Sequence, residues 1–239
     1  AKLQEYREKT DGSFQQFLAK HLNVEIGQSL RSDRWAGADF WQDAGDAALT
    51  RDAILDRCDV IVFGIDGGGL DDLLGLSMIG RDAQTRQWLH WAHAWAHEIV
   101  LERRKEIASV LRGFEADGDL TIVENPGADV VAVADIICEV RDRGLLPEKL
   151  AIGVDAAGIG DIIDELTTEE RGITTEQITA ISQGWRLNGA IKSTERKISG
   201  GQMRHGGTRL MAWCVGNARV VPQGNAISKT SAAIEQITE

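Results

Sequence analysis

The sequence predicts an α/β domain with a mixed central sheet flanked by helices, and three observations lead to that prediction. Apolar, strand-like segments follow one another at residues 58–66, 72–80 and 86–96, with only short connections between them. A glycine-rich turn at 67–69 separates the first two, as expected for a hairpin. Beyond residue 96, helical and strand-like segments alternate, which is typical of strands joined by helical crossovers.

The remaining elements follow from apolar periodicity and length. Helices are predicted over about 97–115, 128–144, 159–169 and 186–199, and strands over 120–124, 149–155 and 177–182. An antiparallel meander followed by parallel strands and helices is the element order of a ribonuclease H-like fold. We therefore expect that fold.

The first 57 residues differ from the rest of the chain. They combine a helical apolar spacing with an irregular stretch in which Trp35, Phe40 and Trp41 lie among small and charged residues. We expect residues 1–57 to form a lead-in segment that packs on the main domain, and residues 58–239 to form that domain. Because the chain starts at Ala1 without Met, we also expect it to be part of a longer protein.

Composition excludes several classes of function. The formal net charge is −11, with 37 acidic against 26 basic residues, which argues against general adhesion to DNA or anionic membranes. A local basic groove is still compatible with this balance. The three cysteines are far apart and form no zinc or disulfide pattern, so a reducing cytoplasm is expected. No signal peptide or membrane-spanning apolar run is present, and no membrane partner is expected.

Two acidic residues end predicted strands that lie in one sheet. Asp66 ends the first strand and Asp155 ends "LAIGVD". Carboxylates at neighbouring strand ends can share Mg²⁺ or Mn²⁺, and two such ions about 3.5–4 Å apart stabilise phosphodiester hydrolysis. Aspartates at strand ends also commonly cap turns. The order of the two acids along this fold favours the catalytic interpretation.

The glycines suggest a rival function. "GIDGGG" also resembles the first phosphate loop of sugar kinases and actin-type ATPases, where a strand-ending Asp handles Mg²⁺. In those proteins Thr or Ser normally follows the glycines, whereas here Leu70 follows. The roughly 180 residues after position 58 are also too few for their second domain. A non-catalytic assembly module is a third alternative.

The last quarter of the chain carries the most specific pattern. It resembles the C-terminal part of the large terminase subunits of tailed bacteriophages in a series of ordered motifs: Gln183-Gly184, Glu195-Arg196, His205-Gly206-Gly207, Trp213, Asn217, Gly224-Asn225 and Lys229. The "GIDGGGLDDLLGL" hairpin is similar to the same family, as are Leu22-Asn23 and Trp35. The resemblance spans nearly the whole chain.

This resemblance implies the nuclease half of a DNA-packaging motor from a phage or prophage. It implies a Mg²⁺- or Mn²⁺-dependent endonuclease that cuts concatemeric viral double-stranded DNA in the bacterial cytoplasm. The implied partners are a terminase ATPase domain in the same full-length chain, the portal protein and the small terminase subunit. No G-x-x-x-x-G-K-[ST] loop occurs, so these residues are not expected to power translocation.

The resemblance also assigns the acids. Asp66 is similar to the family's first catalytic acid and Asp155 to the second. The third lies in a short Ile-Asp motif soon after the lysine that Lys229 matches, and the chain stops without that motif. Glu235 and Glu239 lie outside any such motif. Asp71 and Asp72 are interpreted mainly as turn residues that could add to the acidic pocket.

Positive charge concentrates in the last quarter of the chain, which predicts contacts with DNA phosphates. The candidate DNA-binding residues are Lys229, Lys192, Lys197, Arg204 and His205. A solvated helix face is the alternative for the lysines and arginine, and a structural turn is the alternative for His205. The histidines at positions 90, 93 and 97 alternate with tryptophans. We expect a half-buried strand with aromatic packing that ends before His97, and no metal site.

Overall fold

The computed structural model describes residues 34–155, 160–223 and 226–230, without the side chains of residues 185 and 221–230. Its strands are β1 (Cys58–Gly67), β2 (Leu73–Asp82), β3 (Trp88–His97), β4 (Leu120–Val123), β5 (Ile152–Asp155), β6 (Ile178–Ile181), β7 (Met203–His205), β8 (Arg219–Gln223) and β9 (Ala226–Thr230). Seven of these strands form a mixed sheet in the order β4-β3-β2-β1-β5-β6, with β7 also paired to β3. A separate ribbon consists of β8 and β9.

The helices in the described ranges are α1 (Arg51–Arg57), α2 (Ile99–Arg103), α3 (Ala108–Ala116), α4 (Ala128–Asp142), α5 (Gly160–Leu166), α6 (Asn188–Ser199) and α7 (Arg209–Asn217). Short 3-10 turns occur at 36–39, 42–44, 175–177 and 184–187. None of the described helices combines the length and apolar character needed to cross a bilayer.

The sheet has the mixed topology that the sequence predicts. β1, β2 and β3 form an antiparallel meander in which Asp66 lies opposite Gly75, and Gly75 lies opposite Ala94. β5 then pairs in parallel with β1, and β6 pairs in parallel with β5. Parallel pairing brings the carboxyl ends of β1, β5 and β6 to one edge of the sheet. We call this edge the upper edge and the opposite edge the foot.

The glycine turn is required by the hairpin itself. Gly67 has a φ of +80°, and a Cβ placed there would lie 2.0 Å from the carbonyl oxygen of Leu73. The Gly68 N–H donates to the same oxygen at 3.2 Å. Only glycine accepts both this conformation and this close approach without strain. The tight turn fixes where β1 ends, and so fixes the position of Asp66.

The two faces of the sheet are covered differently. On one face, alternate residues of β1 (Ile61, Phe63 and Ile65) pack with α4 and α5 in the largest core cluster. The other face is covered over β3, where clusters include α3, α6 and α7. Over β1 this second face is open, because Gly64 is exposed in the middle of the strand. We call it the open face.

The structure differs most clearly from the sequence prediction at two places. The single helix predicted over 97–115 is interrupted at Arg104, whose backbone is not helical, so that α2 and α3 are separate. The break allows Val100 and Ile107 to be buried in the same cluster. The strand predicted from residue 149 begins only at Ile152, because Leu150 has a φ of +52° and bonds to the Glu176 carbonyl instead.

The described part of the lead-in segment contacts the sheet domain. Trp35 and Trp41 are buried in a cluster that includes Ile191 and Met203. The Trp35 indole N–H donates to the Glu195 carboxylate at 2.7 Å. Residues 1–33 lie outside the described residues, so the boundary at residue 57 stays a prediction.

Candidate active site

Asp66 and Asp155 lie side by side at the upper edge of the sheet. Ile65 is opposite Val154 in the parallel pairing of β1 and β5, so the two aspartates occupy the next level on these neighbouring strands. Strand spacing places their Cα atoms roughly 5 Å apart. Residues paired in this way share a face of the sheet. Because alternate residues of a strand also share a face, Asp66 lies on the same face as the exposed Gly64. Both carboxylates therefore belong to the open face.

The electrostatics of Asp66 reflect this proximity. Partial desolvation at the strand end raises the pKa of Asp66, and the negative charges of Asp155 and, more weakly, Asp72 raise it further. A hydrogen bond from the Gly67 N–H lowers it in part. Repulsion between neighbouring carboxylates is what a bound dication would relieve. The donor set consists of carboxylate oxygens, which suit Mg²⁺ or Mn²⁺.

The acids after the glycine turn have two separate roles. Asp72 accepts a hydrogen bond from the Leu73 N–H at 2.8 Å, which is the turn role expected from the sequence. Its charge also reaches Asp66, so it contributes to the acidic pocket as well. Asp71 pairs with Arg103 of α2 at 3.1 Å. This ion pair ties the glycine turn to the helix that follows β3.

The two aspartates do not form a complete ligand cage with other described residues. Within the described ranges, no group of three or more His, Cys, Asp or Glu side chains is arranged to hold a metal ion. Residues 156–159, directly after Asp155, and residues 231–239, which include Glu235 and Glu239, lie outside those ranges. The described residues therefore provide a carboxylate pair at this edge, without a complete ligand set.

The basic candidates on α6 differ in their charge environment. Lys192 forms an ion pair with Glu195 at 3.2 Å, and Glu195 also accepts the Trp35 N–H. Lys197 instead contacts the Ser193 hydroxyl and lies 5.5 Å from the centre of the Trp88 ring. Of these two lysines, Lys197 has the charge that no described carboxylate neutralises.

Arg204 and His205 lie at the foot of the sheet, away from the aspartates. They belong to β7, which pairs with the start of β3. Strand spacings place His205 roughly 20 Å from Asp66. His205 is buried and stacks on Trp41; its Nε2 donates to the Trp41 carbonyl at 2.7 Å and its Nδ1 accepts from the Gly207 N–H at 3.0 Å. These contacts favour the structural alternative for His205.

Arg204 and Lys229 belong to the short strands β7 and β9. Arg204 donates to the Asp43 carbonyl at 2.8 Å and lies opposite Leu89, on the face away from the aspartates. Lys229 pairs with Val220 in the β8–β9 ribbon, and β9 contacts the turn at 184–187. That turn follows β6, the neighbour of β5. Of the candidate cations, Lys229 therefore has its backbone on the Asp155 side of the sheet.

The histidines of β3 are engaged in packing and hydrogen bonds. His90 is buried and bonds to the Ser77 hydroxyl at 3.0 Å. His93 bonds to the Thr121 hydroxyl at 2.8 Å between the rings of Trp91 and Trp95. His97, the last residue of β3, donates to the Glu124 carbonyl at 3.0 Å. The partly buried aromatic strand expected from the sequence is observed, but it runs one residue further than predicted and includes His97.

Comparison with known proteins adds a structural relationship. No protein-family model matches the chain, and no curated protein matches it by sequence. The crystal structure of the HK97 bacteriophage large terminase aligns with 86% of this chain at a TM-score of 0.60 and 20% identity. The chain shares its fold with part of this large terminase. The aligned region is 38% of the length of that protein. The ribonuclease H-like fold implied by the sequence resemblance is confirmed.

Two further solved structures are similar at lower scores. They are the large terminase nuclease from thermophilic phage G20c with bound magnesium, and the same nuclease with bound cobalt. The first covers 83% of this chain and 87% of its own, at 14% identity and a TM-score of 0.46. The second covers 71% of each chain, at 13% identity and a TM-score of 0.40.

Proposed function

We propose that this chain is the nuclease part of a phage or prophage terminase large subunit, which cuts concatemeric double-stranded DNA during genome packaging. The observation that carries the proposal is the adjacency of Asp66 and Asp155 on the open face, at the upper edge of the sheet. The fold shared with the HK97 large terminase and the C-terminal motifs support the same function.

Asp66 and Asp155 would hold divalent metal, Mg²⁺ or Mn²⁺, as a two-ion site completed by a further acid. When bound, such ions supply an activated water and neutralise charge on the scissile phosphate. Asp66 and Asp155 would orient the ions, and the rigid Gly67 turn would keep the first carboxylate at its strand end. Because Gly64 has no side chain, the open face beside the acids gives a phosphodiester backbone close access.

Basic side chains would position DNA by its phosphates, with little readout of base sequence. Lys229 is supported by the placement of its strand, and Lys197 by a charge that no described carboxylate neutralises. Lys192 and Arg204 would contribute less, since each is engaged by a protein partner. His205 would act by holding the turn before α7, where Trp41 and Gly207 occupy both ring nitrogens.

The wider assembly follows from this proposed function. The ATPase domain of the same full-length protein, the portal protein and the small terminase subunit would be its partners, in the cytoplasm of a bacterial host. An ATPase domain is required in this proposal because the chain contains no Walker A loop that could power translocation.

The proposal is tested by cleavage of supercoiled plasmid DNA with Mg²⁺ or Mn²⁺, using the full-length protein. Asp66→Asn and Asp155→Asn should each reduce cleavage by at least a hundredfold while leaving the thermal unfolding transition intact. Asp59→Asn is the matched control, because Asp59 lies on the same strand at the foot of the sheet and pairs with Arg86. Undiminished cutting by Asp66→Asn would refute the assignment.

The kinase-like alternative is less well supported. The steric demand at Gly67 and the hydrogen bond of Gly68 to Leu73 explain these two glycines as parts of a hairpin, without a nucleotide. Leu70, at the tip of the turn, offers no hydroxyl to a phosphate. A thermal shift with ATP and Mg²⁺ tests this alternative; stabilisation by ATP that Mg²⁺ alone does not produce would favour it.

A further inference from the structure

Two cations converge on one tryptophan at the foot of the open face. The Arg81 guanidinium lies 4.6 Å from the centre of the Trp88 ring, and the Lys197 ammonium lies 5.5 Å from it. Arg81 and Trp88 are paired residues of β2 and β3, while Lys197 comes from α6. We call these three side chains the Trp88 clamp.

The charges of the clamp are not neutralised by the protein. Among the described residues, neither Arg81 nor Lys197 forms an ion pair. By contrast, Arg57 and Arg86, from the same end of the sheet, pair with Asp82 and Asp59. In a chain with 37 acidic residues, two cations that share a ring without a carboxylate form a site suited to an external anion.

The clamp and the aspartates lie on the same face of the sheet. Along β2, the positions between them alternate with the buried side chains, so Ser77, Ile79 and Arg81 share the face of Gly75, which lies opposite Asp66. Six residues separate Gly75 from Arg81, which corresponds to roughly 20 Å of strand.

Between the two sites, the surface includes an exposed glycine and half-buried side chains. Gly64 is exposed, and a Cβ placed on it would have only the Ser77 Cβ, at 3.9 Å, within 4 Å. Ser77 and Ile79 are half-buried and do not close the face. A polyanion lying along β1 and β2 would therefore reach both the aspartates and the clamp.

We propose that the Trp88 clamp binds a backbone phosphate of duplex DNA roughly six base pairs from the phosphate held at Asp66 and Asp155. The distance follows from about 20 Å of strand and about 3.4 Å of helix axis per base pair. This inference rests on the proposed function, and it deepens it by giving the direction in which DNA crosses the sheet. Arg81 supplies forked N–H donors and Lys197 a mobile charge, and the indole ring holds both in place.

Direct binding measurements without metal test the clamp separately from catalysis. The affinity of the full-length protein for a duplex of about 30 base pairs is measured in EDTA across a salt series. Arg81→Gln and Lys197→Gln should each weaken binding roughly five- to tenfold at 0.1 M salt and reduce the slope of log K against log salt by about 1. Arg81→Lys should keep the slope.

Arg112→Gln is the matched control, since it removes one positive charge that Glu115 already neutralises on α3. Unchanged affinity and slope in Arg81→Gln would overturn the clamp, while metal-dependent plasmid cleavage would leave the proposed nuclease standing. Equal losses in Arg81→Lys and Arg81→Gln, accompanied by a lower melting temperature, would mean a purely structural stack and would also overturn it. Failure of the wild-type protein to bind duplex DNA in EDTA would overturn the clamp, whereas plasmid cleavage with Mg²⁺ or Mn²⁺ decides the nuclease proposal separately.

Discussion

Asp66 and Asp155 directly follow the paired residues Ile65 and Val154, so that their two carboxylates lie side by side on neighbouring strands. This arrangement is unfavourable without a counter-charge, because the charge of Asp155 and desolvation both raise the pKa of Asp66. A site that is destabilised when empty and stabilised by its ligand is common where function requires it.

Asp66→Asn should stabilise the metal-free protein. The substitution removes carboxylate repulsion across β1 and β5 and should raise the free energy of unfolding by roughly 0.2–1 kcal/mol. Wild-type protein should gain stability from Mn²⁺, whereas Asp66→Asn should gain much less, because metal stabilises through its affinity for the folded state. Urea unfolding in EDTA and in Mn²⁺ measures both effects; a less stable Asn variant in EDTA would contradict this prediction.

Gly67→Ala should be considerably more damaging than Gly118→Ala. The two glycines have nearly the same φ, +80° and +79°, but a Cβ at Gly67 would lie 2.0 Å from the Leu73 carbonyl, whereas nothing lies within 4 Å of one at Gly118. The shared backbone strain costs roughly 1 kcal/mol in each variant, and the clash adds to it only at Gly67. Equal losses of stability in the two variants would show that the hairpin relaxes around the methyl group.

The buried histidines should make the protein less stable in mild acid. Burial lowers the pKa of His90 to about 4, and the nearby His205 adds to that effect; burial also lowers the pKa of His205. Since the unfolded chain binds these protons first, near pH 6.5, the stabilisation is complete above that pH and decreases as the pH falls toward 4. His90 also hydrogen-bonds to the Ser77 hydroxyl, and its ring packs edge-on against the Trp41 ring.

His90→Gln should flatten this part of the stability curve. Between pH 6.5 and 4 the wild-type protein should lose on the order of 3 kcal/mol through His90, a loss that the Gln variant avoids. Chemical denaturation across this pH range, with wild type and variant compared at each pH, measures the difference. Parallel curves for the two proteins would refute the role of His90.

Asp82 should be the strongest polar support of the β2–β3 turn. It is buried, accepts hydrogen bonds from the Gln84 and Thr85 N–H groups, and receives two donors of Arg57 at 2.9 and 2.8 Å. These bonds lower the pKa of Asp82 to about 2. Asp82→Asn should cost on the order of 1–3 kcal/mol of unfolding free energy at neutral pH.

Asp59→Ala provides the comparison for Asp82, since Asp59 forms an exposed ion pair with Arg86 near the same turn. Exposed pairs contribute roughly 0–1 kcal/mol, so the loss should be smaller. Because the folded state lowers the pKa of Asp82, the stabilisation by this carboxylate is complete above about pH 4. It is lost as the pH falls toward 2. A larger loss in Asp59→Ala would contradict the ranking.

The sequence allowed the sheet and the acid pair to be predicted because both depend on local patterns. Strand alternation, the glycine turn and an Asp at each strand end are readable without tertiary information. The Trp88 clamp was not predicted, since Arg81 and Lys197 are distant in sequence and meet only through strand pairing and helix packing. Strand alternation could have revealed Arg81. Counting alternate residues along the hairpin from Asp66 and Gly75 places Arg81 on the same face as Asp66.

The structural role of His205 could not be predicted from the sequence. Its motif and its basic neighbours suggested contact with DNA, but burial against Trp41 depends on how the segment before α1 folds back onto β7. An isolated bridge between Gly45 and His205 fixes that return. Periodicity does not encode such a long-range contact, so the sequence left both roles open.

Anomalous X-ray scattering from crystals soaked in Mn²⁺ tests directly whether Asp66 and Asp155 form a nuclease metal centre. We expect an anomalous difference peak within about 2.0–2.6 Å of carboxylate oxygens from both residues, lost in crystals of Asp66→Asn. A peak bound elsewhere, with none between these two aspartates at saturating Mn²⁺, would contradict it.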